Sequence, residues 1–127
     1  MRMIRHAALF ICIGLAACGA PTGSSSLLAG SWRTVAIPSG CGIDLSLMTT
    51  GNQVVGTGHE YALLYLADTL TVRGSQKIDG TFRLDLTFGS GASATYSGRL
   101  VGQHQLDGTW TDAGHSPYSL SFYRGGQ

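Results

Sequence analysis

The alternation of apolar and polar residues restricts the fold of this chain more than any other feature. Four runs alternate at every second position, and they begin at Ile43, Phe82, Leu106 and Tyr118. Successive side chains of a β-strand point to opposite faces, so each run has one apolar face and one polar face. This pattern is typical of an antiparallel sheet that has one side in contact with solvent.

Turn sequences rich in Gly, Asn and Asp separate the runs, at residues 50–52, 78–80, 89–91, 102–104 and 112–114. Such residues supply the backbone conformations that tight hairpins require. The pattern predicts eight strands, at residues 30–37, 43–49, 53–60, 66–75, 81–88, 93–101, 105–111 and 118–124. The nearly continuous apolar segment from Glu60 to Ala67 is compatible with a longer strand, a bulge or a short helical turn.

Glycines recur inside or beside the predicted strands, in the motifs that start at Gly30, Gly80, Gly98 and Gly108. A glycine within a strand permits a sharp bend or the close approach of another chain segment, and closed sheets need such points. We therefore predict an all-β fold, an antiparallel up-and-down meander of about eight strands that forms a closed or nearly closed barrel. A β-sandwich is the alternative.

The amino-terminal segment has the organisation of an export signal. A positively charged start, Met1 to His6, precedes an apolar run from Ala7 to Ala17. This run is shorter than the roughly 20 residues of a membrane-spanning helix, but it has the length of a signal-peptide core. An ordinary secretory signal, cleaved after Ala17 or Ala20, would have the same organisation.

The sequence Leu15-Ala16-Ala17-Cys18 resembles the lipobox of bacterial lipoproteins. The resemblance implies that residues 1–17 are a cleaved signal peptide and that Cys18 carries diacylglycerol, usually with an acylated (palmitate-type) amine. Two or more acyl chains give stable attachment to a membrane. Gly19 stands where an Asp would favour retention in the inner membrane, which implies a cell-envelope location in the outer membrane if the source has one.

The rest of the chain divides into three parts. Residues 18–27 are rich in Gly, Ser, Thr and Pro and are predicted to be a flexible tether. Residues 28–124 are predicted to form the barrel domain, and residues 125–127 a tail.

The motif Gly30-Ser31-Trp32 resembles the Gly-x-Trp sequence that opens lipocalins and avidin-like barrels. The whole arrangement is also similar to a group of small bacterial lipoproteins with Gly-Thr-Trp-type repeats, a group whose function is uncharacterised. The lipocalin resemblance implies that a small apolar ligand binds inside the barrel. Large apolar residues are predicted either to fill the core or to line such a cavity; they are Trp32, Phe82, Leu84, Phe88, Trp110 and Phe122.

Other candidate sites have simpler interpretations. Cys41 has no intramolecular disulfide partner once Cys12 leaves with the leader and Cys18 is lipidated. A buried or loop thiol is therefore expected, with a reactive thiol or an intermolecular disulfide as the alternatives. His59-Glu60 and Asp112-x-x-His115 offer possible metal ligands. No metal site is predicted, because the adjacent residues His59 and Glu60 point to opposite faces of a strand. The other two domain histidines, His104 and His115, are expected in turns.

Several function classes are disfavoured. The formal net charge is +1 and charges of both signs are interleaved, so no basic stripe suggests nucleic-acid binding. The chain has no nucleophile elbow, phosphate-binding loop or dinucleotide motif. The acidic residues Asp44, Asp85 and Asp107 are expected to face solvent, so no catalytic residues and no cofactor are predicted.

Two functional hypotheses follow. The first is a membrane-anchored, non-enzymatic envelope lipoprotein whose barrel binds a small apolar ligand. The second is a structural or protein-interaction module, such as an envelope scaffold or a protease inhibitor. An enzyme ranks third, because it would require a polar cleft with clustered titratable groups.

Overall fold

A computed structural model of the chain describes residues 27–34, 42–62 and 65–125. These residues form eight strands: β1 (Gly30–Thr34), β2 (Gly42–Thr50), β3 (Gln53–Ala62), β4 (Tyr65–Gln76), β5 (Thr81–Phe88), β6 (Ser93–Val101), β7 (Gln105–Asp112) and β8 (His115–Arg124). Within the described ranges, no helix has the length and apolar character needed to cross a membrane.

The eight strands form one closed antiparallel barrel in which each strand pairs with the next along the chain. The first strand, β1, pairs with β2 on one side and with β8 on the other, which closes the sheet and leaves no free edge. The predicted up-and-down barrel is therefore confirmed. The alternative of a β-sandwich is wrong, because a sandwich would leave two separate sheets.

Strand boundaries agree closely with the sequence pattern, and β5 and β6 match it to the residue. The main difference is at β8, which begins at His115 and not at residue 118. The register between β7 and β8 shifts between Trp110 and Asp112, where β8 accommodates Pro117. Proline has no N–H to donate to the sheet, so it is tolerated at a bulge. The expectation that His115 lies in a turn is therefore wrong, whereas His104 does lie in a turn.

In the ambiguous segment from Glu60 to Ala67, the described residues, 60–62 and 65–67, belong to two strands that are joined in register by a bulge. Strand β3 continues to Ala62, and the register with β4 shifts between Glu60 and Tyr61. Glu60 is opposite Asp68 and Tyr61 is opposite Leu66, so Ala67 is the extra residue on β4. Residues 63 and 64 lie outside the described ranges.

Glycines allow neighbouring strands and side chains to approach closely. Gly98 of β6 and Gly108 of β7 are directly opposite each other, and a Cβ atom on Gly108 would lie 2.9 Å from the ring of Tyr96. Gly80 lies in the predicted turn before β5, with φ of 92°.

The barrel interior is filled with apolar side chains over most of its length. The buried core residues come from all eight strands and from the segment before β1: Leu28, Trp32, Leu45, Leu47, Val54, Leu70, Val72, Phe82, Leu84, Leu86, Ala94, Tyr96, Leu106, Trp110 and Phe122. Tyr96 lies at the centre of this core, 0% exposed, and its hydroxyl is 2.7 Å from the carbonyl of Leu120.

One end of the barrel is closed by the residues that precede β1. The indole Nε1 of Trp32 donates to the carbonyl of Leu28 at 2.9 Å, and the guanidinium of Arg124 lies 4.2 Å from the centre of the Trp32 ring. The buried side chain of Gln76 accepts from the backbone N–H of Leu28 and donates to the carbonyl of Gly51. We call this the closed end.

Some predictions from the sequence lie outside the described residues. These are the signal peptide (1–17) with its lipobox residues, the lipidated Cys18 with the tether as far as residue 26, the thiol of Cys41, and residues 126–127. They stay predictions.

Candidate functional site

A cavity of about 550 Å³, partly open to solvent, lies at the end of the barrel opposite the closed end. It lies where the β5–β6 and β7–β8 turns lie, and we call this the open end. Ligand pockets in proteins have volumes of roughly 300–1,000 Å³, so the cavity has room for a small molecule. Two other cavities, of about 160 Å³ and about 220 Å³, are smaller.

The floor of the cavity is aromatic. Phe88 at the end of β5 and Trp110 near the end of β7 have ring centres 6.3 Å apart in an edge-to-face arrangement. Trp110 also lies 6.3 Å from the ring of Tyr96, which belongs to the filled core. The floor is therefore supported from below by packed aromatic rings, and Trp110 is only 3% exposed.

The walls combine apolar and small residues. Ile43 of β2 and Tyr118 of β8 line the cavity from two sides, and the β5–β6 turn contributes Ser90, Gly91 and Ala92. Tyr118 is exposed and makes an edge-to-face contact with the ring of His115. These surfaces suit the apolar body of a small ligand.

Two carboxylates from adjacent strands line the cavity opposite each other. Glu60 of β3 and Asp68 of β4 are register partners. The Asp68 carboxylate accepts hydrogen bonds from the backbone N–H groups of Thr69, at 2.8 Å, and Ser90, at 3.3 Å. Asp68 is therefore fixed against the β5–β6 turn.

A third carboxylate, that of Asp112, lies at the end of β7. It accepts from the indole Nε1 of Trp110 at 2.9 Å and from the backbone N–H of Gly114 at 2.9 Å, and it lies 3.1 Å from the ring of His115. These hydrogen bonds, that of Trp110 foremost, lower the pKa of Asp112. Asp112 is therefore a fixed negative charge at neutral pH.

Glu60 differs from the other two carboxylates. Burial raises the pKa of Glu60, and the nearby charge of Asp68 raises it further. Among the described residues, no donor forms a hydrogen bond or ion pair with the Glu60 carboxylate. Burial also raises the pKa of the Tyr118 hydroxyl, with contributions from the charges of Asp112 and Glu60.

The open end lacks compensating positive charge. The barrel domain has six Lys and Arg residues, and in the described part of the chain none of them lines the cavity. Among the described residues that line the cavity, His115 is the single basic side chain. The connecting sequences at 35–41 and 63–64 contain no charged residue. The cavity therefore combines an apolar floor with three acidic groups.

The six residues that the sequence analysis proposed as core or cavity residues divide into two groups. Trp32, Phe82, Leu84 and Phe122 are buried in the core below the cavity. Phe88 and Trp110 line the cavity. Whether an inward-facing residue fills the core or lines the cavity depends on its position along the barrel axis. The alternation pattern gives no information about that position.

Three of the lining residues were not predicted from the sequence: Glu60, Asp68 and Asp112. The alternation pattern does place these three residues on the inward face of their strands. Each is separated by an even number of positions from a buried apolar residue of the same strand: Val54 on β3, Leu70 on β4 and Leu106 on β7. An acidic residue at an inward-facing position is unusual, because burial of an unpaired charge is costly. By contrast, the prediction that His59 and Glu60 point to opposite faces is confirmed, since His59 is exposed.

The chemistry of the lining favours binding over metal coordination. No cluster of three or more His, Cys, Asp or Glu residues suited to a metal ion occurs within residues 27–34, 42–62 and 65–125. Asp68 and Asp112 already accept hydrogen bonds from neighbouring donors, as described above. The arrangement can hold a small molecule on the aromatic floor and present negative charge to it.

No protein-family model and no curated protein matches the chain. Two solved structures are similar to it. One is a fluorescence-activating β-barrel designed de novo, with a TM-score of 0.63 and 10% identity over 80% of this chain and 96% of that chain. The other is a redesigned β-barrel, mFAP1, bound to DFHBI, with a TM-score of 0.58 and 14% identity over 80% of this chain and 97% of that chain.

The chain shares the fold of these designed barrels. At such low identity the similarity concerns the backbone alone. It extends over nearly the whole length of the two designed barrels and over 80% of this chain. It supports the assignment of a small eight-stranded closed barrel.

Proposed function

We propose that this protein is a non-enzymatic lipoprotein of the cell envelope that binds a small molecule in the open end of its barrel. The observation that carries the proposal is the cavity of about 550 Å³ above a filled core, with the rings of Phe88 and Trp110 as its floor.

The similarity to designed barrels supports the binding function. The redesigned barrel mFAP1, which has the same fold, is bound to DFHBI, so a barrel of this size has room for a small molecule. Eight strands are close to the size at which the interior is either filled or holds one small ligand.

Anchoring through Cys18 rests on the four lipobox residues, Leu15 to Cys18. The test is metabolic labelling of the expressed chain with a radioactive fatty acid. We expect the wild-type chain to incorporate the label and to sediment with membranes, and the Cys18→Ser variant to do neither. Label retained in the Cys18→Ser variant would contradict the assignment.

Ligand binding is tested with three naphthyl probes that share an apolar body and differ in the head group: 2-(1-naphthyl)ethanol, 2-(1-naphthyl)ethylamine and 1-naphthylacetate. The full-length chain is placed in phosphatidylcholine nanodiscs, and binding is measured by equilibrium dialysis with empty nanodiscs as the blank. We expect at least one probe to bind with a stoichiometry of one per chain.

Two variants show whether binding takes place in the cavity. Ala92→Trp places a large side chain in the β5–β6 turn that lines the cavity, and it should abolish binding. Thr109→Trp adds the same side chain to the exposed face of β7, and it should leave binding unchanged. If no probe binds at millimolar concentration, or if Ala92→Trp binds as wild type does, the binding function is wrong.

A further inference from the structure

We propose that the ligand of the open-end cavity is a small organic cation, a protonated amine or quaternary ammonium group attached to an aromatic or other apolar body. The inference rests on the proposed binding function and adds the chemical class of the ligand. It follows from charge complementarity between the acidic lining and the expected ligand.

The lining places negative charge beside an apolar surface. Glu60 and Asp68 are paired across β3 and β4, and Asp112 is linked to the floor through its hydrogen bond from Trp110. A ligand whose apolar body lies on Phe88 and Trp110 therefore has three carboxylates around the same cavity. Aromatic faces also attract cations, because the π system is negative at its face.

Glu60 is the group that most needs a cationic partner. In the described residues its carboxylate has no donor, although it is partly buried and lies opposite the charge of Asp68. Bringing a carboxylate into such a position costs free energy unless an opposite charge compensates it. A bound cation would supply that charge.

The distribution of charge over the whole barrel favours the same ligand. Three Lys and Arg residues lie near the closed end: Lys77 follows β4, Arg99 is two residues before the end of β6, and Arg124 ends β8. Arg33, near the open-end side of β1, does not line the cavity and is paired with Asp44 at 3.6 Å. No Lys or Arg lines the cavity in the described part of the chain, and His115 is its only basic group. The field at the open end therefore attracts cations and repels anions.

An inorganic metal ion does not fit the same residues. Hard cations such as Ca²⁺ take six to eight oxygen ligands. Of the three carboxylates, Asp68 and Asp112 accept hydrogen bonds from backbone and indole donors, so Glu60 alone is without a partner among the described residues. One unpaired carboxylate above an aromatic floor suits an ammonium group with an apolar body.

The test compares the three naphthyl probes in the full-length chain in phosphatidylcholine nanodiscs. We expect the amine to bind at least about tenfold more tightly than the alcohol, which corresponds to about 1.4 kcal/mol, and the carboxylate to bind most weakly. Glu60→Gln should weaken binding of the amine by roughly three- to tenfold more than it weakens binding of the alcohol, because the variant removes charge while it keeps the shape of the side chain.

A matched control removes a carboxylate elsewhere on the barrel. Asp85 lies on the exposed outer face of β5, next to Arg83. Asp85→Asn should leave the affinity for all three probes unchanged, which would show that the loss in Glu60→Gln is local and not an effect of net charge.

The outcomes separate the two proposals. If the wild type binds the amine more tightly than the alcohol, and if Glu60→Gln reduces this difference in affinity, the cationic ligand is supported. Equal binding of the amine and the alcohol, or tightest binding of 1-naphthylacetate, overturns the cationic ligand and leaves the binding function standing. If none of the three probes binds, both proposals are overturned.

Discussion

At the scale of single residues, Glu60 carries the charge that the proposed cationic ligand would compensate. A partly buried carboxylate with a raised pKa and no partner among the described residues destabilises the folded state. Evolved proteins tolerate such costs at sites where activity requires them. Replacing the Glu60 carboxylate should therefore raise the stability of the protein while it weakens the binding of a cationic ligand.

We expect Glu60→Gln to increase the stability of the ligand-free protein at neutral pH. Burial makes the folded state hold the Glu60 proton more tightly than the unfolded chain does, so stability falls as the pH rises through the folded pKa. The gain in the variant should be present at about pH 7 and should vanish well below the ordinary pKa of 4.5, where both states are protonated.

Thermal denaturation of both proteins at about pH 3.5 and about pH 7 measures this difference. Asp85→Asn serves as the control, since Asp85 is exposed on the outer face of β5. A melting temperature of Glu60→Gln below that of the wild type at neutral pH would contradict the interpretation that the Glu60 charge is uncompensated.

At the scale of single strands, two bulges shape the open end. One lies between β3 and β4 at Ala67, and the other lies in β8 near Pro117. Bulges occur often at the rims of barrels, where they redirect side chains. Here Glu60 and Asp68 are the last regular pair before the first bulge, so both carboxylates keep the inward direction of their strands.

Glycine at position 108 is required by the packing between β7 and β6. We expect Gly108→Ala to lower the free energy of unfolding by about 3 kcal/mol, the upper end of the usual cost of overpacking. The added Cβ would lie 2.9 Å from the Tyr96 ring and against the backbone of Ser97. Urea denaturation followed by tryptophan fluorescence measures the loss.

Gly114 provides the matched control for this experiment. A Cβ at Gly114 would meet nothing closer than the Asp112 carboxylate at 3.8 Å. Gly114→Ala should change stability by no more than about 0.5 kcal/mol. If the two substitutions lowered the free energy of unfolding equally, the close approach of Gly108 to Tyr96 would not be the reason that position 108 requires glycine.

At the scale of the whole molecule, Arg124 holds together the first and last parts of the barrel domain. Its guanidinium donates to the carbonyls of Ala29, at 2.7 Å, and Leu27, at 3.3 Å, while its Nε donates to the carbonyl of Gln103 at 2.8 Å. It also lies over the ring of Trp32. The last strand is thereby fixed to the segment that precedes the first strand.

We expect Arg124→Ala to lower the free energy of unfolding by about 2–4 kcal/mol, through lost charge-assisted hydrogen bonds and lost contact with Trp32. Arg124→Lys should lower the free energy of unfolding less than Arg124→Ala does, because lysine keeps the positive charge. Some loss should remain, because lysine lacks the planar fork of donors. Urea denaturation gives both values. The control is Arg99→Ala, at an exposed position of β6, whose free energy of unfolding should stay within about 0.5 kcal/mol of that of the wild type. If Arg99→Ala lost as much stability as Arg124→Ala, a specific role for Arg124 would be contradicted.

The filled core and the open end divide the barrel into a part that stabilises the fold and a part available for binding. The core below Trp110 contains Tyr96 and Phe122, whose rings are 5.0 Å apart. Side chains at the open end can therefore change with little effect on the packing of the core. This division is typical of proteins in which a rigid scaffold positions a site at its rim.

The sequence by itself determined the strands and their faces. Alternation and turn residues are local signals, so eight strands and the inward direction of Leu84 or Phe122 follow from positions close together in the chain. The four lipobox residues likewise predict lipidation at Cys18 without any structure.

Only the tertiary structure decided which inward residues fill the core and which line a cavity. That depends on where each strand lies along the barrel axis, which is set by closure between β1 and β8 and by the registers of all eight strands. Glu60, Asp68 and Asp112 belong to three strands and are up to 52 positions apart in sequence (112 − 60). Their common position around one cavity follows from barrel closure, and no local pattern contains it.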